Sequence, residues 1–248
     1  MEYIYGIRAV IEAILEGRQI DRIFIKNDLS SDLAQELFAL IRQYHLVAQR
    51  VPVEKLNRIT RKNHQGVIAS VSAVEYHNLG NLVTSLFDEG ILPFIVVLDG
   101  ITDVRNFGAI ARTAECCGVN ALVVAERGSV SVGADAVKTS AGALLSLPVC
   151  RERGIASAVR FLKDSGFNVV AVSEKANQNY TVADYTGPTA LVMGAEDKGI
   201  SDEVMQLCDT KVSIPMFGHI GSLNVSVAAG VMMYEVVRQR LNANLEVI

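Results

Sequence analysis

Ile214-Pro-Met-Phe-Gly-His-Ile-Gly-Ser-Leu-Asn-Val-Ser-Val-Ala-Ala-Gly-Val-Met-Met-Tyr234 is the stretch from which the rest of the chain is read. Residues 211–216 read as the end of a strand, Gly218 and Gly221 permit a tight turn, and a helical pattern begins near Leu223 and runs to about Leu241. Unpaired backbone N–H groups at a helix start hold ligand oxygens, and Ser222 and Asn224 add two short polar side chains there. Ser226, Ala228, Ala229 and Gly230 keep the first turns thin, so another backbone or a ligand can approach closely. The structural alternative is a Ser N-cap on a buried C-terminal helix.

Upstream, strand and helix patterns alternate. Phe94-Ile-Val-Val-Leu98 is an uninterrupted apolar run suited to a strand covered on both faces, and Asp99 and Gly100 end it. After it the patterning predicts helix 108–117, strand 121–124, helix 134–145, strand 147–150, helix 155–163, strands 167–172 and 189–193, helix 201–207, strand 211–214 and the final helix. Repeated βα units imply an α/β domain with a mostly parallel sheet and helices on both faces, and general topology rules predict an unknotted one.

The N-terminal part, 1–74, reads as a separate α/β unit: helix 5–15, strand 20–26, helix 33–44 capped by Ser30 or Ser31, strand 47–53, short helix 54–60 and strand 66–73. Between its last two elements lies Arg58-Ile-Thr-Arg-Lys-Asn-His64, the densest basic segment of the chain. A solvated loop is its plain reading; Arg58, Arg61, Lys62 and His64 would equally suit RNA phosphates. Residues 75–92 hold one short helical pattern, 82–87, and read as a linker to a domain at 93–248.

The 248 residues, half of them hydrophobic, suffice for one large domain or two small ones. No apolar run approaches the ~20 residues that span a bilayer, and the first residues lack the apolar centre of a signal peptide, so a soluble, cytoplasmic protein with no membrane partner is expected. Cys116, Cys117, Cys150 and Cys208 show no C-x-x-C spacing, which points away from a zinc site or disulfide framework and towards buried small hydrophobes; no metal is expected. The net charge of −4 divides into +2 over 1–74 and −6 over the remainder, so an anion-binding surface should be local and biased to the N-terminal part.

Three loops after strands carry unusual residues. In Asn106-Phe-Gly-Ala-Ile-Ala-Arg112, Asn106 is expected at a helix start, and Arg112, within an apolar helix, needs an anionic partner: Asp99 or Glu115 structurally, a phosphate functionally. Gly194-Ala-Glu-Asp-Lys-Gly199 has the wrong glycine spacing for a P-loop, and no G-x-G-x-x-G follows a strand anywhere. The third loop is the opening stretch. A serine hydrolase built on Ser222 lacks the G-x-S-x-G elbow and a paired acid, although His219 is near in sequence.

The set Asn106-x-Gly-x-x-x-Arg112, Gly194-x-Glu196-x-x-Gly199 and Ile214-Pro-Met followed by Ser222-Leu-Asn-Val-Ser226 closely resembles the three motifs of the SpoU (TrmH-type, SPOUT superfamily) RNA ribose 2′-O-methyltransferases, over about 94–241. The N-terminal unit, ending in Asn63-His-Gln-Gly66, is similar to the L30e/L7Ae-like substrate-binding domain of members that methylate 23S rRNA guanosine. The resemblance implies a catalytic domain threaded as a deep trefoil knot, S-adenosylmethionine as cofactor, and a homodimer. It places Gly194, Ile214 and Leu223 against the cofactor and Asn106, Arg112, Glu196, Ser222 and Asn224 at catalytic positions. Family accounts give the motif-one arginine a general-base role; because a guanidinium stays protonated in water, Arg112 is read instead as holding the target phosphate and stabilising the forming alkoxide, with Glu196 orienting Arg112 or a neighbouring backbone group. The expected function is 2′-O-methylation of a 23S rRNA guanosine. The alternatives are a tRNA or an rRNA adenosine (resistance-type) substrate and, in a different class, a non-catalytic RNA-binding protein.

Overall fold

A computed structural model describes residues 3–243; the outermost residues of the two expected domains, 1–2 and 244–248, lie outside the described residues. Contacts divide the chain into Met1–Glu75 with Ser131–Asp135, and Tyr76–Val130 with Ala136–Ile248.

The first unit runs β1 (Tyr3–Tyr5), α1 (Ile7–Leu15), β2 (Ile20–Lys26), α2 (Asp32–Gln43), β3 (Ala48–Val51), α3 (Val53–Ile59) and β4 (Val67–Val71). Its sheet has the order β1-β4-β2-β3, with β2 and β3 parallel and the other pairs antiparallel. Alternate residues of β2 feed two clusters. Ile23 and Ile25 pack with Val10, Ile11 and Ile14 of α1 and Leu37 of α2, while Phe24 faces Val51, Leu56 and Ile68. Gly6, at φ +97°, separates β1 from α1, so the helix expected from residue 5 starts at Ile7 and 3–5 pair as a strand instead. Ser31, not Ser30, caps α2, accepting from Ala34 N at 3.1 Å.

The second unit runs β5 (Tyr76–His77), α4 (Leu79–Asp88), β6 (Phe94–Asp99), α5 (Val104–Cys116), β7 (Ala121–Ala125), α6 (Ala134–Thr139, of which Ala134 and Asp135 group with the first unit), β8 (Val149–Glu152), α7 (Ile155–Asp164), β9 (Asn168–Val172), β10 (Gln178–Asn179), β11 (Thr189–Gly194), α8 (Asp202–Leu207), β12 (Thr210–Ser213) and α9 (Val225–Asn242). Eight strands pair in the order β10-β12-β9-β11-β6-β7-β8-β5, all parallel. From β6 the chain builds outward through β7 and β8, then crosses to the other side of β6 for β9, β11 and β12. That reversal is a topological switch point, and in open parallel sheets ligands bind outside the carboxyl ends of the strands beside it.

Several expectations change in this unit. Residues 75–92 are not a bare connector: β5 pairs with β8, and Leu79, Val83 and Leu86 of α4 are buried. The expected helix 134–145 is broken after Thr139 because Ala141 and Gly142 adopt φ +52° and +90°; a single 3₁₀ turn, Ala143–Leu145, follows. Helix α5 starts four residues earlier than expected because Asp103 caps it, accepting from Arg105 N at 2.7 Å and Asn106 N at 3.1 Å. Those bonds stabilise the ionised form and hold the Asp103 carboxyl below its ordinary pKa.

At the amino ends of β6 and β11, α9 is fastened by a buried guanidinium. Arg240 donates to the carbonyls of Leu92 (3.1 Å), Pro93 (2.9 Å), Gly187 (3.0 Å) and Tyr185 (3.4 Å), and lies 5.3 Å from the centroid of the Phe94 ring. Burial pushes its pKa down to about 10, which leaves it charged at neutral pH. Cys117, Cys150 and Cys208 are buried and Cys116 is exposed; burial raises the three thiols to about 11, 12 and 11. Among the described residues no helix is long and apolar enough to cross a membrane, and no cluster of His, Cys, Asp and Glu could hold a metal.

Candidate functional site

A cleft of about 640 Å³, open to solvent, lies at the carboxyl ends of the strands beside the switch point. Val172, Ser173 and Glu174 line it from the end of β9, Gly194, Ala195, Glu196 and Gly199 from β11 and the loop after it, Ile214 and Met216 from beyond β12, and Ser222, Leu223, Val225 and Ala228 from the start of α9. The three residues expected at a cofactor, Gly194, Ile214 and Leu223, therefore share one cavity with Glu196 and Ser222.

The loop after β11 closes on itself: Ala195 N donates to Gly199 O at 3.1 Å and Gly199 N to Ala195 O at 2.7 Å. A Cβ on Gly194 would lie 2.1 Å from the carbonyl carbon of Gly199 and 2.2 Å from Ile200 N. The missing side chain is thus required by the loop's own backbone, and the cleft acquires its wall as a consequence. Gly108 has a similar origin, since a Cβ there would meet Thr139 Cβ at 2.6 Å.

Asn224 is the hub of the polar side of the site. Its Oδ1 accepts from Ser226 N at 3.0 Å and from Ser226 Oγ at 2.5 Å, capping α9. Its Nδ2 donates to Asn106 Oδ1 at 3.1 Å and to Glu196 Oε1 at 2.5 Å. One side chain thereby ties together all three motif segments. The cap is Asn224 and not a serine, so Ser222 is left exposed on the cleft wall with no role in the helix start. Asn106 is the third residue of α5 rather than its cap.

Arg112 is exposed and meets no hydrogen-bond or ion-pair partner among the described residues. Neither expected internal partner, Asp99 or Glu115, pairs with it among the described residues; Asp99 accepts instead from Ser201 N at 2.8 Å. Nor does Glu196 orient it, because that carboxylate receives Asn224. Arg105, which the sequence reading passed over, precedes Arg112 by seven residues on the same helix and is also exposed, so both guanidinium groups share one face of α5. The i, i+7 spacing was the available signal.

In the first unit the four residues expected at RNA separate into two kinds. Arg58 and Arg61 are exposed and unpaired among the described residues. Lys62 donates to Tyr5 Oη at 2.7 Å and lies 5.0 Å from the centroid of that ring. His64 is committed to the turn: its Nδ1 accepts from Gly66 N at 3.0 Å, so Nε2 carries the proton and donates to Asn57 Oδ1 at 2.9 Å.

Two family profiles match this chain: the SpoU rRNA Methylase family over residues 93–234, and the RNA 2′-O ribose methyltransferase substrate-binding family over residues 3–77. A TrmH family tRNA/rRNA methyltransferase of Staphylococcus saprophyticus is 35% identical over 237 residues, covering 96% of this chain and 95% of its own. Among solved structures, the SpoU methyltransferase AviRb of Streptomyces viridochromogenes, in complex with AdoMet, aligns with TM-score 0.60 and 28% identity over 97% of this chain and 90% of its own. The A. aeolicus TrmH/SpoU tRNA modifying enzyme aligns with TM-score 0.56 and 30% identity, over 67% of this chain and 86% of its own. Fold and site define an α/β RNA methyltransferase with an appended substrate-binding unit. The chain belongs to the SpoU rRNA methylase family.

Proposed function

We propose that this chain transfers the methyl group of S-adenosylmethionine to a ribose 2′-hydroxyl in RNA, and that the target is a guanosine of 23S rRNA. The observation that carries the reading is the Asn224 hub, which holds Asn106 and Glu196 at the rim of a cleft suited to a nucleoside cofactor. Ile214, Met216, Leu223 and Val225 offer an apolar slot for a flat base, and the charged lining is acidic, which suits a cofactor bearing a sulfonium and an ammonium. S-adenosylmethionine supplies an already reactive methyl group, so the protein's part is alignment and charge stabilisation. Gly194, Ile214 and Leu223 hold the cofactor. Asn106, Ser222 and Asn224 fix the geometry of the ribose hydroxyl, and Glu196 holds the Asn224 amide in place. Arg112, unpaired among the described residues, takes the target phosphate and stabilises the developing alkoxide.

Arg58, Arg61 and Lys62 of the first unit hold RNA phosphates, while His64 shapes the turn that presents them. The active form is a homodimer in the cytoplasm, joined through the exposed apolar side chains Phe217, Ile220, Val227 and Tyr234, and the deep trefoil knot belongs to the same reading. A tRNA substrate is the second reading. Against it stands the tRNA modifying enzyme that aligns with 67% of this chain, where AviRb aligns with 97%. Mapping 2′-O-methyl groups by mass in 23S rRNA and tRNA from a deletion strain decides between them. Loss at one 23S guanosine is the expected result; loss confined to tRNA, or at an rRNA adenosine, moves the substrate, and a purified protein that transfers no methyl group to RNA overturns the activity.

A further inference from the structure

Two carboxylates line the cleft, and only one of them is used by the protein. Glu196 accepts from Asn224. Glu174, two residues beyond the end of β9, is exposed and has no hydrogen bond or ion pair among the described residues. No cationic side chain lines the cleft to neutralise it. Lys175, Lys198 and Lys211 border an adjoining recess that shares Ser173, Glu174 and Gly199 with the cleft, yet none of them pairs with Glu174. Unlike Glu152, which contributes to β8, Glu174 has no place in the packing of the sheet.

We infer that Glu174 binds the ribose diol of the nucleoside cofactor, an inference that rests on the proposed reading of the cleft. A carboxylate is a pure acceptor with two oxygens, and two vicinal hydroxyls are the matching pair of donors. Ribose hydroxyls carried into the cleft by a base seated in the apolar slot of Ile214, Met216, Leu223 and Val225 lose part of their water and need acceptors in exchange. Of the neighbouring groups, the Ser173 hydroxyl already accepts from Lys175 N at 3.3 Å, whereas both Glu174 oxygens are uncommitted among the described residues. A hydrogen bond to an ionised acceptor contributes roughly twice what a neutral one does, so this side chain also selects nucleosides that retain both hydroxyls.

The test is calorimetric titration of the full chain and its Glu174→Gln variant with two probes, S-adenosylhomocysteine and 5′-methylthioadenosine. Both carry the ribose diol, and only the first carries the amino-acid tail. Because the side chain is exposed, the variant is expected to keep the wild-type melting temperature, which is measured alongside. The expected result is that both probes weaken by the same factor, about tenfold. Unchanged affinity for both overturns the inference. So does a loss confined to S-adenosylhomocysteine, which would place the carboxylate at the ammonium of the tail. If the wild-type chain binds neither probe, the proposed use of the cleft fails before Glu174 is reached.

Discussion

Asn224 performs two tasks through the two ends of one amide, and substitutions separate them. Asn224→Ala should remove the cap of α9, at a cost of ~1 kcal/mol, and free Asn106 and Glu196 as well, lowering the single-turnover transfer rate by about a hundredfold or more. Asn224→Asp keeps a capping oxygen but sets a second carboxylate against Glu196, so thermal melts should recover while the rate does not. Recovery of both would show that the amide's donors are irrelevant. Asp103 allows a test by pH. Its carboxyl is held below the ordinary value by the N–H groups of Arg105 and Asn106, so its stabilisation is complete above the ordinary carboxylate pKa and lost as pH falls through the folded one. Melts of wild type and Asp103→Asn, which retains a cap without the charge, should differ at pH 7, begin to approach each other near about pH 4, and converge only as pH falls through the lower folded value. The motif glycines were legible as residues but not in their cause. Gly194 yields to the backbone of its own loop where it closes at Gly199–Ile200, and Gly108 to Thr139, thirty-one residues further on. Gly108→Ala should accordingly cost ~1–3 kcal/mol by overpacking, read from urea unfolding.

Elements were legible where one residue pattern settled the matter. The central strands β6, β7, β9 and β11 are apolar runs covered on both faces and announce themselves. The start of α5 was not legible, because Asp103 acts through an Asx-type cap that looks like a loop residue in a sequence. Strand β5 pairs with a strand more than seventy residues away, and its two residues carry no periodicity of their own. Similarly, Arg240 in a helix pattern reads as a solvent-facing cation, and only the tertiary structure shows four carbonyls aimed at it. Arg240→Met should orphan those carbonyls at ~1–3 kcal/mol for each that water cannot reach. Arg240→Lys should restore little, since an ammonium cannot span the fork of a guanidinium. Urea unfolding of the three proteins checks this, and a lysine variant of wild-type stability would deny the fork its role.

For the molecule as a whole, the proposed function divides labour between the units. Neutralising Arg58 and Arg61 together should weaken RNA binding and reduce its salt dependence by up to about two units of slope, with cofactor affinity unchanged. Arg112→Ala should depress the transfer rate far more than RNA affinity, as expected of a group acting mostly in the transition state. Filter binding and single-turnover methylation on the same variants compare the two; normal RNA binding by the double variant, or full transfer by Arg112→Ala at saturating RNA, would break the division. Quaternary structure belongs to this scale too. With Phe217 98% and Ile220 77% exposed in the single chain, light scattering should give a dimer at micromolar concentration, and a fully active monomer would leave those side chains without a purpose.

The distribution of thiols gives the unmutated protein a set of internal clocks. Alkylation requires a thiolate, and of the four cysteines only Cys116 is exposed, while Cys117, Cys150 and Cys208 are buried and hard to ionise. Iodoacetamide at neutral pH should therefore add one label quickly, on α5, four residues from Arg112. Each further label must wait for a local opening: of the end of α5 for Cys117, of β8 for Cys150 and of the end of α8 for Cys208. Mass-resolved labelling of the native chain, with and without S-adenosylhomocysteine, would then time the breathing of three separate elements and show which of them a ligand slows.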